Sequence, residues 1–183
     1  MQHLISLPSE NEWFEFKEAK KDYTFDKIGQ YFSALSNEAN LKAQSKGWLV
    51  FGVVDKTREI IGTHYRENRA QLDQLKLEIA SRTNGLTFNE IHELAVAGER
   101  VIMFEIPAAL KGIPTSWNGH FFGRDGESLG PLKLNEIDLI RGEARNHDWS
   151  AEICSEATIN DLDKHPIEKA RDEYKKKASR SSK

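Results

Sequence analysis

Acidic side chains are concentrated near the start of the chain and after one apolar run. Glu10, Glu12 and Glu15 come first, and Asp55 ends the apolar run. Carboxylates gathered at strand ends can hold a divalent cation, which would polarise a phosphodiester and activate water. Lys17 could neutralise transition-state charge or hold a phosphate. An alternative stays open, in which these charges form the solvent face of a strand and the acid after the run caps a turn.

Two apolar segments would have to position these acids. Residues 13–19 alternate apolar and charged side chains, and this short period predicts a first strand. Residues 48–54 form an almost continuous apolar and β-branched run, which predicts a central strand covered on both faces. The acids converge if these two strands are neighbours.

The rest of the chain alternates between helical and strand-like spacing. A helix is predicted from an N-cap at Thr24 to about Asn37, and a second helix around residues 72–79. The polar residues 38–47 predict a surface loop, and residues 60–65 predict another strand. Two hairpins are expected next, followed by a short helix.

The order of these elements predicts an α+β fold (mixed α/β). Its sheet is expected to be mixed and mainly antiparallel, with two main helices packed on it and a C-terminal helical tail. Residues 1–150 are expected to form one domain. Residues 151–183 are expected to be a charged linker and helix, as the start of a further region or a flexible tail.

Charge is distributed unevenly along the chain. The net charge is −3, but residues 164–183 hold eight basic and three acidic side chains and therefore carry +5. Residues 1–163 then carry −8, and an acidic body repels a densely charged duplex. Any nucleic-acid contact is therefore expected to be local, tail-assisted or metal-assisted.

Several classes of protein are excluded by what the sequence lacks. No apolar run approaches the about 18 residues of a membrane span, and no leader with a charged and then an apolar part opens the chain. The single cysteine, Cys154, cannot form an internal disulfide, which favours the cytoplasm. The chain has no glycine-rich phosphate loop, so ATP binding is not expected.

Five motifs in order resemble one known family. The segment Glu10–Lys17 resembles the Glu-x-x-x-x-Glu-Phe-Lys signature of the Schlafen AlbA-like domain family, also described as divergent AlbA domains that bind DNA. The resemblance covers roughly residues 10–142. The further matching segments are Ser33–Asn37, Gly47–Asp55, Ile61–Gly62 and the hairpin from Gly119 to Arg124 with Gly126 and Ser128.

The resemblance implies a nucleic-acid-binding module of a bacterial-type transcriptional regulator. Its expected contact residues are Lys17, Lys20, Lys21 and Arg124, together with the basic tail. The partner would be DNA or structured RNA. Further C-terminal domains and a homodimer are compatible with this reading.

The resemblance leaves two other functions open. One is a metal-dependent endoribonuclease, in which Glu10, Glu15 and Asp55 are the catalytic residues and the ligands of Mg²⁺ or Mn²⁺. The other is an oligomerisation platform with a vestigial site. One departure bears on all three functions, because the family's short turn before the central strand is replaced by about ten residues between Asn37 and Gly47.

Overall fold

The computed structural model describes residues 12–144, Thr158 and residues 164–180. Glu10 and Cys154 lie outside the described residues. The chain divides into two compact units, residues 1–147 and 148–183, which are described separately.

The first unit contains seven described strands and three described helices. In chain order they are β1 (Phe14–Lys17), α1 (Phe25–Leu41), β2 (Lys46–Phe51), α2 (Arg69–Ala80), β3 (Glu90–Val96), β4 (Glu99–Pro107), β5 (Ser116–Trp117), β6 (His120–Asp125), β7 (Ser128–Pro131) and α3 (Leu134–Glu143).

The strands form two sheets. The larger sheet has the order β1-β2-β4-β3, in which β1 and β2 are parallel and the other pairs are antiparallel. The smaller sheet has the order β5-β6-β7 and is antiparallel. The predicted α+β class with a mixed, mainly antiparallel sheet is confirmed. The first and central strands are neighbours, which was the condition for the acids to converge.

The main core lies between the larger sheet and the helices α1 and α2. It contains Phe32 of α1, Leu72 of α2 and Leu49 of β2, all fully buried. Successive side chains of a strand point to opposite faces, so the register of Glu15 beside Leu49 places Glu15 on the helix side. A second buried cluster, including Phe16, covers the other face of the sheet.

The prediction of a loop over residues 38–47 is wrong. Helix α1 contains the first four of these residues, and β2 contains the last two. The helix continues because its last turn has tertiary partners: Glu38 is 2% exposed, and Asn40 Nδ2 donates to Ala109 O at 3.0 Å. Partners so distant in sequence are invisible to a pattern of polar residues.

The prediction of a strand over residues 60–65 is also wrong. Ile60 makes only an isolated bridge with Val53, and the following backbone groups bond to different elements. Thr63 N donates to Arg100 O at 2.8 Å, whereas His64 N donates to Lys20 O at 2.7 Å. A segment whose partners alternate in this way cannot join one ladder.

The second unit contributes the helix α4 (Lys164–Arg180). A C-terminal tail helix was expected, and Tyr174 on its predicted apolar face is 75% exposed within the described structure. Among the described residues, no helix combines the length and the apolar character needed to cross a membrane.

Candidate functional site

Glu15 lies at the centre of a buried charge cluster on the helix side of β1. Its side chain is 3% exposed and forms ion pairs with Nζ of Lys17 and with Nη1 of Arg124. The two cations arrive from different directions, because Lys17 belongs to the same strand and Arg124 to β6 of the smaller sheet. The buried carboxylate thus has a cationic partner on its own strand and another on the smaller sheet.

Arg124 ties three elements together. Its Nη1 also donates to Phe14 O at 2.8 Å, and its backbone N–H donates to Oε1 of Glu38 at 2.9 Å. The residue is 7% exposed, and its buried Nε has no protein partner among the described residues. The guanidinium is directed into the protein, so the predicted contact of Arg124 with nucleic acid stays a prediction that this placement does not favour.

Lys17 is partly enclosed. Its side chain is 28% exposed, and Nζ lies 5.2 Å from the centre of the Tyr31 ring. Burial opposes the charge of Lys17, but the hydrogen bond and ion pair with Glu15 outweigh it and raise the pKa of the lysine. Its ammonium group therefore interacts mainly with other groups of the protein.

Two further acids extend the cluster toward the β6–β7 turn. Glu12 accepts from Gly126 N at 3.2 Å and pairs with Nζ of Lys42 at 2.6 Å. Burial opposes its ionisation, but these two partners and Arg124 outweigh burial and lower the pKa of Glu12. Burial raises the pKa of Glu38, and the neighbouring Glu12 adds to this effect.

Asp55 is placed away from this cluster. Its carboxylate lies 3.2 Å from Nη1 of Arg58, whose guanidinium stacks 4.2 Å from the centre of the Phe16 ring. Phe16 lies on the face of the sheet that is turned away from the helices, and Arg58 brings Asp55 to that side. Glu15 lies on the helix side, so the two carboxylates are on opposite sides of the sheet. Within the described residues, no three His, Cys, Asp or Glu side chains are grouped to hold a metal ion. Because Glu10 lies outside them, the three-carboxylate site stays a prediction.

An open pocket lies beside the Glu15 cluster in sequence, and the end of the connection between β1 and α1 forms one of its walls. Its volume is about 740 Å³, and its walls are the segments 21–25 and 64–71. Basic, aromatic and amide side chains line the pocket. The members with these properties are Lys21, His64 and Arg66, then Tyr23, Phe25 and Tyr65, and then Asn68 and Gln71. Asp22 and Glu67 also contribute, so the pocket is mixed in charge.

The two walls of this pocket are fastened to each other. Thr63 Oγ1 donates to Ala19 O, and His64 N donates to Lys20 O at 2.7 Å. Arg100 of β4 fixes the position of the second wall, because its guanidinium donates hydrogen bonds to three carbonyl oxygens in or next to that wall. These are Thr63 O at 3.3 Å, Tyr65 O at 2.9 Å and Arg66 O at 3.2 Å.

Backbone in the left-handed region occurs in one wall, at Arg66, and two residues before the other wall, at Ala19. Ala19 has φ of 37° and Arg66 has φ of 40°, and such conformations are costly for residues with a side chain. They persist only where surrounding contacts fix them, and the bonds of Thr63 and Arg100 do so. The pocket is therefore preorganised.

Within the pocket His64 and Arg66 are paired with acids, Glu67 at 2.6 Å and Glu78 at 3.0 Å, whereas further basic side chains lie beside it. Lys20 beside it is 73% exposed, and its nearest acid is Glu18 at 3.8 Å. Arg82 stacks on Phe25 at 5.1 Å from the ring centre. Helices α1 and α2 both begin at the pocket, so the partial positive charges of their N-termini add to this field.

Tyr23 connects the pocket to the Glu15 cluster. Its ring packs against Phe51, with 4.9 Å between the ring centres. Burial raises the pKa of Tyr23, and the neighbouring Tyr31 and Glu15 add to the effect. The phenol is therefore a neutral hydrogen-bonding group at neutral pH.

Comparison with protein-family models shows which family the chain belongs to. The model of the family described as Schlafen, AlbA_2 matches residues 10–133, which include β1, the Glu15 cluster and the pocket. The chain belongs to the Schlafen AlbA_2 family.

One solved structure shares the fold of this Schlafen AlbA_2 domain. The DIP2311 protein from Corynebacterium diphtheriae is 20% identical with a TM-score of 0.55, over 78% of this chain and 31% of that one. This chain therefore spans less than a third of that protein. The N-terminal domain of an ATP-dependent DNA helicase RecG-related protein from Nitrosomonas europaea is 19% identical with a TM-score of 0.42, over 73% of this chain and 88% of that domain. Comparison with curated proteins gives no significant match.

The motifs of the Schlafen AlbA_2 domain located the Glu15 cluster but not the whole pocket. Lys20 and Lys21 were expected contact residues, and the structure places them at the pocket. Sequence reasoning missed His64, Arg66 and Gln71. The signal that could have found the first two is the interleaving of basic and aromatic residues at His64-Tyr65-Arg66, which is typical of nucleic-acid contacts.

Proposed function

We propose that this Schlafen AlbA_2 domain is a nucleic-acid-binding module that contacts its partner at the preorganised pocket. The observation that supports this function best is the grouping of Lys21, His64 and Arg66 with the partly exposed rings of Tyr23 and Phe25 at one pocket, with the exposed Lys20 beside it. Cations beside aromatic faces are the groups that hold phosphates and bases in nucleic-acid complexes.

The expected contact residues fall into two groups, according to whether Glu15 pairs with them. Lys17 and Arg124 are engaged by Glu15, so removing them would affect the fold before it affected binding. Lys20 and Lys21 are exposed and stand beside the pocket. The acidic body confines phosphate contacts to this surface and to the tail, which carries +5 over residues 164–183.

The biological setting that we propose is a transcriptional regulator of the cytoplasm. The domain would act within a longer protein or as a homodimer, with the basic tail adding affinity that does not depend on sequence. The coverage of 31% of the DIP2311 protein is compatible with a domain that occurs in larger architectures.

Salt-dependent binding tests the proposed surface. Fluorescence anisotropy would measure the affinity of the full chain for labelled DNA and RNA oligonucleotides between 50 and 200 mM salt, roughly the range over which phosphate contacts are lost. The double variant Lys20→Ala, Lys21→Ala should bind about tenfold more weakly, with a shallower salt dependence. Lys56→Ala, Lys111→Ala removes the same charge from exposed positions elsewhere and should bind like the wild type. Absence of binding by the wild type at low salt would refute the function.

The contribution of the tail is measured in the same assay. Replacing Lys175, Lys176 and Lys177 by Gln removes three positive charges. If all three contact phosphates of a single strand, the slope of log K against log salt decreases in magnitude by about 2. An unchanged slope would show that these three lysines make no phosphate contact.

A further inference from the structure

We infer that the pocket between residues 21–25 and 64–71 receives one unpaired nucleotide, so that the domain prefers single strands to duplexes. The inference rests on the proposed nucleic-acid function and names the form of nucleic acid that the site takes. Its basis is the shape of the pocket, the chemistry of its lining and the way its walls are fixed.

The shape favours an unpaired base. Proteins that read duplex DNA insert a protruding helix or ribbon into a groove about 12 Å wide. This surface is an open recess of about 740 Å³ instead. A recess cannot enter a groove, whereas a splayed base can enter a recess.

The lining matches the parts of a nucleotide. Tyr23 and Phe25 are partly exposed aromatic residues that offer faces or edges to a base. The exposed Gln71 carries an amide that can donate to and accept from the edge of a base. Lys21 lines the recess and the exposed Lys20 lies beside it, so their ammonium groups are available to the phosphates that flank an entering base. Every base has an aromatic face, so stacking here tolerates many sequences.

The walls are fixed before any ligand arrives. Arg100 donates to the carbonyl oxygens of Thr63, Tyr65 and Arg66, and Thr63 is bonded across to Ala19. A fixed recess loses little conformational entropy on binding, which favours a single nucleotide despite its small contact area. The strained backbone at Arg66 in one wall and at Ala19 beside the other is compatible with a site whose geometry is set by function.

The central experiment compares nucleic acids of equal phosphate number. The full chain is titrated into a single strand with 2-aminopurine at its centre and, separately, into a hairpin duplex. We expect the single strand to bind about tenfold more tightly, since base stacking alone contributes on that scale. We also expect the fluorescence of 2-aminopurine to change on binding, as its base stacks on protein.

A matched pair of variants separates the recess from general charge. Gln71→Glu places a carboxylate in the recess, and Gln74→Glu places one a turn further along α2, outside the recess. An acid suits the first turn of a helix, so Gln71→Glu should preserve the fold. It should weaken single-strand binding about tenfold more than Gln74→Glu does and abolish the 2-aminopurine change.

The outcomes distinguish this inference from the proposed function. If duplex and single strand bind equally, or if both variants behave alike, the recess takes no nucleotide while the lysine surface still binds nucleic acid. If neither nucleic acid binds the wild type, the proposed function fails and the inference fails with it.

Discussion

Glu15 and Arg124 form an ion pair in which both side chains are almost completely buried, 3% and 4% exposed. The pair joins the edge strand of the larger sheet to the central strand of the smaller one. Arg124 also bonds to the backbone of β1 and, through its own N–H, to Glu38 of α1. The docking of the two sheets therefore depends on this charge cluster as well as on apolar packing.

Removing the arginine should destabilise the protein strongly. Arg124→Met leaves Glu15 buried with only Lys17 as a cationic partner, and we expect the free energy of unfolding to fall by about 3 kcal/mol in urea titrations. Lys133→Met is the control, because Lys133 pairs with Asp125 at the surface and should change stability by less than about 1 kcal/mol. If the two variants were equally stable, the buried pair would have no special role.

Glu38 should make stability decrease as pH rises. Burial raises its pKa in the folded state above the ordinary value of 4.5, so the folded protein holds this proton more tightly than the unfolded chain. Its stabilising effect is complete below pH 4.5 and is lost as pH rises through the folded-state pKa. Glu38→Gln retains an acceptor for Arg124 N–H and has no proton to lose.

Urea unfolding between about pH 4 and pH 8 tests this expectation. The free energy of unfolding of Glu38→Gln should rise relative to the wild type across the range and then level off. Glu127→Gln removes the same charge from the exposed β6–β7 turn and serves as the control. A difference between Glu38→Gln and the wild type that stays constant with pH would contradict the assigned role of Glu38.

Gly29 of α1 should not tolerate a side chain. A Cβ at this position would lie 2.1 Å from the ring of Trp117, which is itself 2% exposed. Gly29→Ala should therefore destabilise the protein by about 1–3 kcal/mol, although alanine favours helices. Gly142→Ala in α3 meets no atom within 4 Å and should stabilise the protein by up to about 1 kcal/mol. Thermal unfolding of the two variants should shift in opposite directions.

Asp55 tests the metal-dependent ribonuclease hypothesis. Because its carboxylate pairs with Arg58 on the face of the sheet opposite to Glu15, we expect Asp55→Asn to leave any cleavage of transfer RNA with Mg²⁺ or Mn²⁺ unchanged. Gel analysis of cleavage over time would measure this. A wild-type protein that cleaves, beside an inactive but folded Asp55→Asn variant, would support a three-carboxylate site that includes Glu10.

The sequence by itself determined the family, the fold class and most elements. Strand β1, the central strand and α1 follow from local spacing, because one apolar face per element must be buried. The turn between β3 and β4 also follows from Gly98, since glycine adopts the positive φ of 84° found there without steric cost. The errors at residues 38–47 and 60–65 came from segments whose hydrogen-bond partners are distant in sequence.

Only the tertiary structure decided which charged residues face solvent. Lys17, Lys20, Lys21 and Arg124 are all basic. Glu15 pairs with Lys17 and Arg124 inside the protein, whereas Lys20 and Lys21 lie at the pocket. The same holds for Asp55 and Glu15: Asp55 lies in the turn after β2 and pairs with Arg58, which stacks on Phe16, whereas Glu15 lies on the opposite face of the sheet. Charge pairing depends on distances across the fold, and no local pattern encodes those distances.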